Sequence, residues 1–434
     1  LGDLYERGDL AEFTCIALLP LVIALYRAVA REALPGRAQR LAVAASVAHA
    51  IMIMTHPVLG LWGTLVVGLV VLVSVVRSVA QHKGRGLVLV AAAAGAPALA
   101  GVYIVPAIAY RGMVRTSVMV TSVYDPTENW ASFAALFAGR IPEFTRNFLR
   151  IGPLWVLAAI VVLVALAKNA RRAWPALVWF GFASLLLLAV GPHGNALWAT
   201  KSLPLAAFIQ FPWRLLGPAA LLVSLALGIA GAAATEHLSE GLRTRIAAIG
   251  AALLLFFVAW PYVGAKAMAT DDVPVDADNI REWVLSTTTA DEFLPNGGSA
   301  PARAAADLVT GAEGVVVVEH TSNVGSHQLL ALRAESDGAQ VSLALHAFPG
   351  WTVATDSAPG NVEAALETDS RGLLRLRLPT AGEYRLRVWY GVSGAALVGG
   401  CVTGLAALAM GLLLMRTCSR RPWEGPQTRA RRAA

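Results

Sequence analysis

The chain has 434 residues, of which 56% are hydrophobic and only 15% charged, and its mean hydropathy is +0.60. A soluble globular chain carries about 25% charged residues, so the composition excludes an ordinary soluble domain and points to a bilayer. The net charge of +7 does not indicate nucleic acid: the arginines fall in short clusters between apolar runs, where they set membrane orientation. Membrane lipids are the expected partners, and no nucleic acid is.

The chain begins Leu1-Gly2-Asp3, with no initiator Met and no signal-peptide pattern, and it reads as an N-terminally truncated fragment. A helix crossing ~30 Å of hydrocarbon needs about 17 to 25 mostly apolar residues. Such runs lie near 11–29, 38–55, 58–76, 86–105, 151–167, 174–190, 215–234, 246–263 and 392–415. The expected architecture is therefore a polytopic α-helical membrane protein of about nine spans, eight of them within 1–263. The stretch from Leu41 to Val76 is too long for one crossing at 1.5 Å per residue, so Thr55-His56-Pro57 is expected to be a hairpin tip.

Positive residues are retained on the cytoplasmic side. Arg27, Arg31, Arg37 and Arg40 share one loop, and Arg77, Lys83 and Arg85 the next on that side. Lys168, Arg171 and Arg172 follow, then Arg243 and Arg245, then six arginines after Met415. By these boundaries one side holds 18 Lys/Arg and 4 Asp/Glu, which leaves 17 and 24 of the totals of 35 and 28 for the other, +14 against −7. The start of the chain is then outside and its end cytoplasmic, in a multi-pass arrangement. Segments 1–10, 55–57, 106–150, 191–214 and 264–391 face outward, and 416–434 is a basic cytoplasmic tail.

Within 264–391 the pattern changes from about Gly314 to alternation with period two, the mark of half-buried strands. Leu374, Leu376 and Leu378 alternate with Arg375 and Arg377; Tyr384, Leu386, Val388 and Tyr390 with Arg385, Arg387 and Trp389; Val341, Leu343 and Leu345 with Ser342 and Ala344. A small antiparallel β-sandwich-like extracytoplasmic domain before the last span, 392–415, is expected. Phe348-Pro349-Gly350-Trp351 reads as a tight turn. Cys15 and Cys401 lie in apolar runs and Cys418 in the tail, so no disulfide framework supports this domain and no CxxC metal site exists.

Polar residues gather toward the outer side, where a membrane protein tolerates them only for a reason. Glu12 lies three residues after Asp9 at the mouth of the first span, on the same helix face. Paired carboxylates do acid/base work or hold a divalent metal, and Arg7 beside them suits a phosphate; an interfacial ion pair with a capping Asp explains the same residues structurally. His49 lies within the second span and His56 at its outer end. The 191–214 loop adds His193, Lys201 and Arg214. Gln210-Phe211-Pro212-Trp213-Arg214 opens the seventh span either as an interfacial anchor or as part of a cationic site. No Walker loop, GxGxxG, HExxH or GxSxG is present, so cytoplasmic nucleotide chemistry has no support.

Five strings, Tyr5-Glu6-Arg7-Gly8-Asp9-Leu10-Ala11-Glu12, Thr55-His56-Pro57, Phe211-Pro212-Trp213-Arg214, Asp291-Glu292-Phe293-Leu294-Pro295 and Phe348-Pro349-Gly350-Trp351 before a final span, give the chain its resemblance to a family. It resembles the bacterial membrane proteins labelled 6-pyruvoyl-tetrahydropterin synthase-related, close to the YfhO-type proteins and the C-type (GT-C) glycosyltransferases. The resemblance implies transfer of a sugar from a polyprenyl-phosphate donor on the outer side of a bacterial plasma membrane, for assembly of the cell envelope. It implies donor-phosphate binding by Arg7, His56 and Arg214, with Asp9 or Glu12 assisting the acceptor or a divalent metal. The main catalytic carboxylate of such enzymes sits in the first outer loop, which the fragment is expected to lack. A transporter or lipid-flipping protein, or a noncatalytic envelope assembly protein, are the rival readings.

Overall fold

The computed structural model describes residues 10–81, 83–115, 125–127, 132, 136, 152–191, 194–199, 209, 211–259, 295–296, 308–323 and 327–419. Its helices are α1 (Leu10–Arg31), α2 (Pro35–Thr55), α3 (Pro57–Gln81), α4 (Lys83–Leu99), α5 (Gly101–Tyr110), α6 (Gly152–Val190), α7 (Leu216–Ala234), α8 (Glu240–Ala259) and α9 (Gly394–Ser419). Two units divide them: Leu1–Ala100, Ser122–Thr270 and Gly404–Ala434 form one, and Gly101–Thr121 with Asp271–Thr403 the other.

Among the described residues six helices are long and apolar enough to cross a membrane, or seven if α4 and α5 count as one broken span. Large apolar side chains stay on the outside of these helices, among them Leu69, Leu72, Leu87 and Leu405. Exposure on that scale is stable in hydrocarbon and not in water. Length, composition and exposed surface are thus those compatible with a membrane-embedded protein. In the first helical unit α1 to α4 bury one face each around Leu19, Val22, Tyr26, Met52 and Leu89.

Three of the expected runs differ in detail. The 86–105 run breaks at Ala100, three residues after Pro97, and just beyond the break Gly101 lies against Gly399 of α9 backbone to backbone: a Cβ on Gly399 would meet the Gly101 carbonyl oxygen at 2.4 Å. Small residues permit such close helix approach. The expected 168–173 loop is instead a single break at Asn169 (φ −153°, ψ 78°) inside the 39-residue α6, which would be ~58 Å long if straight. It folds back on itself: the Trp155 indole N–H donates to Ser184 Oγ at 3.1 Å. Val162 and Ala165 from one limb and Ala173 and Ala176 from the other pack against Ala226 and Ala230 of α7. Asn169 and Arg172 at the fold both bind Glu236. Finally, α8 carries Glu240, Arg243 and Arg245 in its first turns and is not among the six; the rest of the 246–263 run lies outside the described residues.

The second unit holds eight strands: β1 (Val309–Glu313), β2 (Val315–Asn323), β3 (His327–Ala334), β4 (Ala339–His346), β5 (Trp351–Ser357), β6 (Ala365–Thr368), β7 (Leu373–Leu378) and β8 (Gly382–Tyr390). They form two four-stranded sheets of order β1-β4-β7-β6 and β2-β3-β8-β5, with every pairing antiparallel. The alternating residues are buried as expected: Val341, Leu343, Leu374, Leu376 and Leu378 from one sheet meet Leu330, Leu332, Tyr384, Leu386 and Val388 from the other in one core. Tyr390 alone of that series is largely exposed, with Trp351 edge-on to it at 5.3 Å. Gly350 has φ 123° and a Cβ there would meet the Tyr390 ring, so the Phe-Pro-Gly-Trp turn requires its glycine. Phe348 of the same turn packs edge-on against Tyr110 at the end of α5, 5.4 Å away.

Asp369 stitches the β6–β7 turn. Its carboxylate accepts the N–H groups of Arg371 (2.8 Å) and Leu373 (2.9 Å), the Ser342 hydroxyl (3.0 Å) and two guanidinium bonds from Arg371. Burial pushes this carboxyl up, but the backbone and side-chain donors together hold it below the ordinary carboxylate value of 3.8. A lowered folded value contributes stability that is present above the unfolded pKa and is lost as pH falls through the folded one. In thermal melts of the full chain the gap between wild type and Asp369→Asn should therefore close as pH drops below about 4; a gap that widens on acidification would contradict these contacts. Leu376→Asp buries an unpaired charge and should cost more than about 4 kcal/mol, read as loss of the protease resistance of 308–390. Reducing agent should leave that resistance unchanged, since the strands contain no cysteine.

Candidate functional site

Three helix ends that the charge pattern assigns to one side meet in the structure. Glu12 lies in the first turn of α1, where the helix dipole favours a carboxylate. His56 is the one residue between α2 and α3. Arg214 sits in the 3-10 turn Pro212–Leu215 that opens α7. That turn follows from its sequence: Phe211 is extended, Pro212 supplies a fixed φ at the first helical position, and the Arg214 amide closes the turn on the Phe211 carbonyl at 3.0 Å.

All three side chains are buried, with Glu12 2% and Arg214 7% exposed. Arg214 Nε donates to Glu12 Oε2 at 3.1 Å, across 202 residues of sequence, and Nη1 donates to the Ile209 carbonyl at 3.3 Å. His56 Nε2 faces the same Glu12 oxygen at 3.8 Å. The guanidinium lies 4.9 Å from the centre of the Phe211 ring, which stacks on Trp213 at 4.7 Å, so aromatic faces complete the cation's surroundings. Gly217 and Ile16 set the spacing one turn deeper: a Cβ on Gly217 would meet the Ile16 side chain at 2.7 Å. A larger residue there would have to displace the Ile16 side chain.

Of the residues singled out from sequence, Glu12, His56 and Arg214 are thus brought together. Arg7, Asp9, His193 and Lys201 lie outside the described residues. Arg214 does not present a bare fork in this geometry; Nε and Nη1 hold a carboxylate and a carbonyl. Among the described residues no cluster of three or more His, Cys, Asp or Glu is placed to hold a metal ion, and a metal role for Asp9 lies outside them.

Searches against protein-family models, curated proteins and solved structures found no match. The chemistry of the site therefore rests on its own geometry.

A second polar group is seated deeper among the spans, around His49. Its Nδ1 lies 3.2 Å from Tyr26 Oη of α1, and its Nε2 lies 3.0 Å from Thr64 Oγ1 of α3. Tyr26 and Ser46 both reach the Ala92 carbonyl of α4. Thr64 donates to the Gly60 carbonyl at 2.6 Å, so it accepts from His49 Nε2–H, and the single Tyr26 O–H is shared between Nδ1 and the Ala92 carbonyl. Sequence reading placed His49 in its span without these partners. The available signal was Ser46 and His49 one turn apart in an otherwise apolar run.

Removing one partner of a buried ion pair leaves the other charge uncompensated, at about 3–5 kcal/mol. Arg214→Ala should therefore destabilise the protein on that scale in detergent melts, while the double variant Glu12→Leu/Arg214→Met should recover most of the loss. Additive losses in that double-mutant cycle would remove the pair from the list of stabilising contacts.

Proposed function

We propose that the chain is a GT-C-like membrane glycosyltransferase, or a fragment of one, that transfers a sugar from a polyprenyl-phosphate donor on the extracytoplasmic side. About nine spans in a bacterial plasma membrane, with the first residue outside and the last cytoplasmic, belong to the same reading. The observation that carries it is the buried Arg214–Glu12–His56 cluster at one end of the helices, a charged group that membrane burial makes costly without a use. In this reading Glu12 takes the proton of the acceptor hydroxyl as that oxygen attacks the anomeric carbon. The bond from that carbon to the phosphate oxygen breaks, and the lipid phosphate leaves with the negative charge. Arg214 holds the carrier phosphate in the donor complex, and its charge stays with that phosphate once Glu12 is neutral. Charge passes from carboxylate to leaving group without a bare cation at any stage. The Trp62 indole N–H, buried without a hydrogen-bond partner on a side chain packed against the core cluster that includes Trp213 and Ile209, supplies a donor for a further ligand oxygen. Arg7 joins His56 at the carrier phosphate and Asp9 the acceptor or a divalent metal, as the family resemblance has it.

Transport or lipid flipping is the second reading, favoured by the Tyr26–His49–Thr64 group inside the spans, since intramembrane polar residues mark pathways.

In full-length protein in proteoliposomes, Glu12→Gln should lower sugar transfer by about 10²–10⁴-fold, the range of a general base, while a polyprenyl-phosphate sugar still binds. Arg214→Lys keeps the charge but loses the planar fork and should weaken donor binding by about 1.5–3 kcal/mol. Full turnover in Glu12→Gln would remove the transferase reading. Movement of labelled lipid between leaflets without sugar transfer would establish the second. An impermeant thiol reagent should label a cysteine placed within 264–391 from outside and not one placed at residue 170; labelling at 170 reverses the orientation.

A further inference from the structure

We propose that His56 is a positioning residue locked in one tautomer, a fixed Nε2–H donor aimed at Glu12. The lock comes from the start of α3. His56 is extended (φ −149°, ψ 119°), and its carbonyl accepts the Gly60 amide at 2.7 Å, the first bond of the helix. That makes His56 the N-cap of α3 and Leu59 the third helical residue. The first helical residue, Pro57, has no N–H to satisfy. The Leu59 N–H donates to His56 Nδ1 at 3.1 Å, so the imidazole ring does what a Ser or Asn side chain does at other caps.

A nitrogen that accepts an N–H carries a lone pair and no proton. The neutral ring then bears its proton on Nε2, and Nε2 is the atom facing Glu12 Oε2 at 3.8 Å. A second proton on His56 would have to enter at Nδ1, where it meets the Leu59 N–H head-on and uncaps α3. The same Glu12 oxygen already accepts Arg214 Nε. Among the described residues Glu12 from α1 is the titratable group paired with the ring, and through the same oxygen it accepts Arg214 from the turn before α7; Leu59 of α3 presents its backbone amide. The ring therefore presents Nε2–H, and not a bare nitrogen, to the Glu12 carboxylate. The inference uses the geometry of the Glu12 site and stands whether or not the site transfers sugar.

Histidine-selective ¹⁵N labelling of the full chain in lipid nanodiscs tests it without substrate, with the His56 signals assigned by their loss in His56→Asn. The expected spectrum is one protonated Nε2 and one bare Nδ1, unchanged between pH 6 and 8. A protonated Nδ1 with a bare Nε2, or a doubly protonated ring in that range, overturns the proposal. The cap is checked separately, because Asn caps well but is too short to reach Glu12. His56→Asn should melt within a degree or two of wild type and His56→Ala several degrees lower; equal losses in both overturn the lock. If sugar transfer is absent but the tautomer is as expected, only the transferase reading fails.

Discussion

The ion pair between Arg214 and Glu12 organises the first unit. Two charges withdrawn from water cost several kcal/mol each unless geometry and further hydrogen bonds offset the loss. Here the offset has identifiable parts: the 3.1 Å contact itself, the Ile209 carbonyl, the Phe211 ring and the first turn of α1. The pair in turn dictates backbone features that apolar packing alone leaves open. Proline and an extended Phe211 present the arginine at the head of α7, a glycine one turn below brings that helix onto Ile16, and a single-residue link delivers His56 to the same oxygen.

Polar and apolar forces are divided differently in the two units. Among the spans, packing supplies no hydrophobic drive because lipid is as apolar as leucine, and polar ties gain relative weight. Tyr26, Ser46, His49 and Thr64 join α1 to α4 through such ties. In the strands the order reverses. A closed apolar core between two sheets provides the stability, and polar contacts such as those of Asp369 set local turn geometry.

What could be read from sequence follows from how local each signal is. Apolar runs and the Thr55-His56-Pro57 tip depend on composition over one or two turns, and strand alternation on neighbouring residues, so Leu376 and Leu386 were assignable to a core without coordinates. That the starts of α1, α3 and α7 share one end was likewise legible from the alternation of the runs. That Glu12 and Arg214 touch was not, because no local pattern links residues 202 positions apart. The break at Ala100 had a local signal in Pro97, three residues before it in an otherwise apolar run, whereas the backbone contact of Gly101 with Gly399, far along the chain, had none. Arg214 was readable as a cation at a membrane face, but only the structure supplies the carboxylate that occupies it.

The separation of the two charges also has a consequence for how the protein is made. Glu12 is in the first of the described helices and Arg214 opens the seventh in order of the long spans read from sequence, so ribosomes deliver the acid long before its partner. During that interval the nascent chain holds Glu12 without the arginine that its Oε2 accepts in the folded protein, and the contact between α1 and the head of α7 closes only after residue 214 has been made.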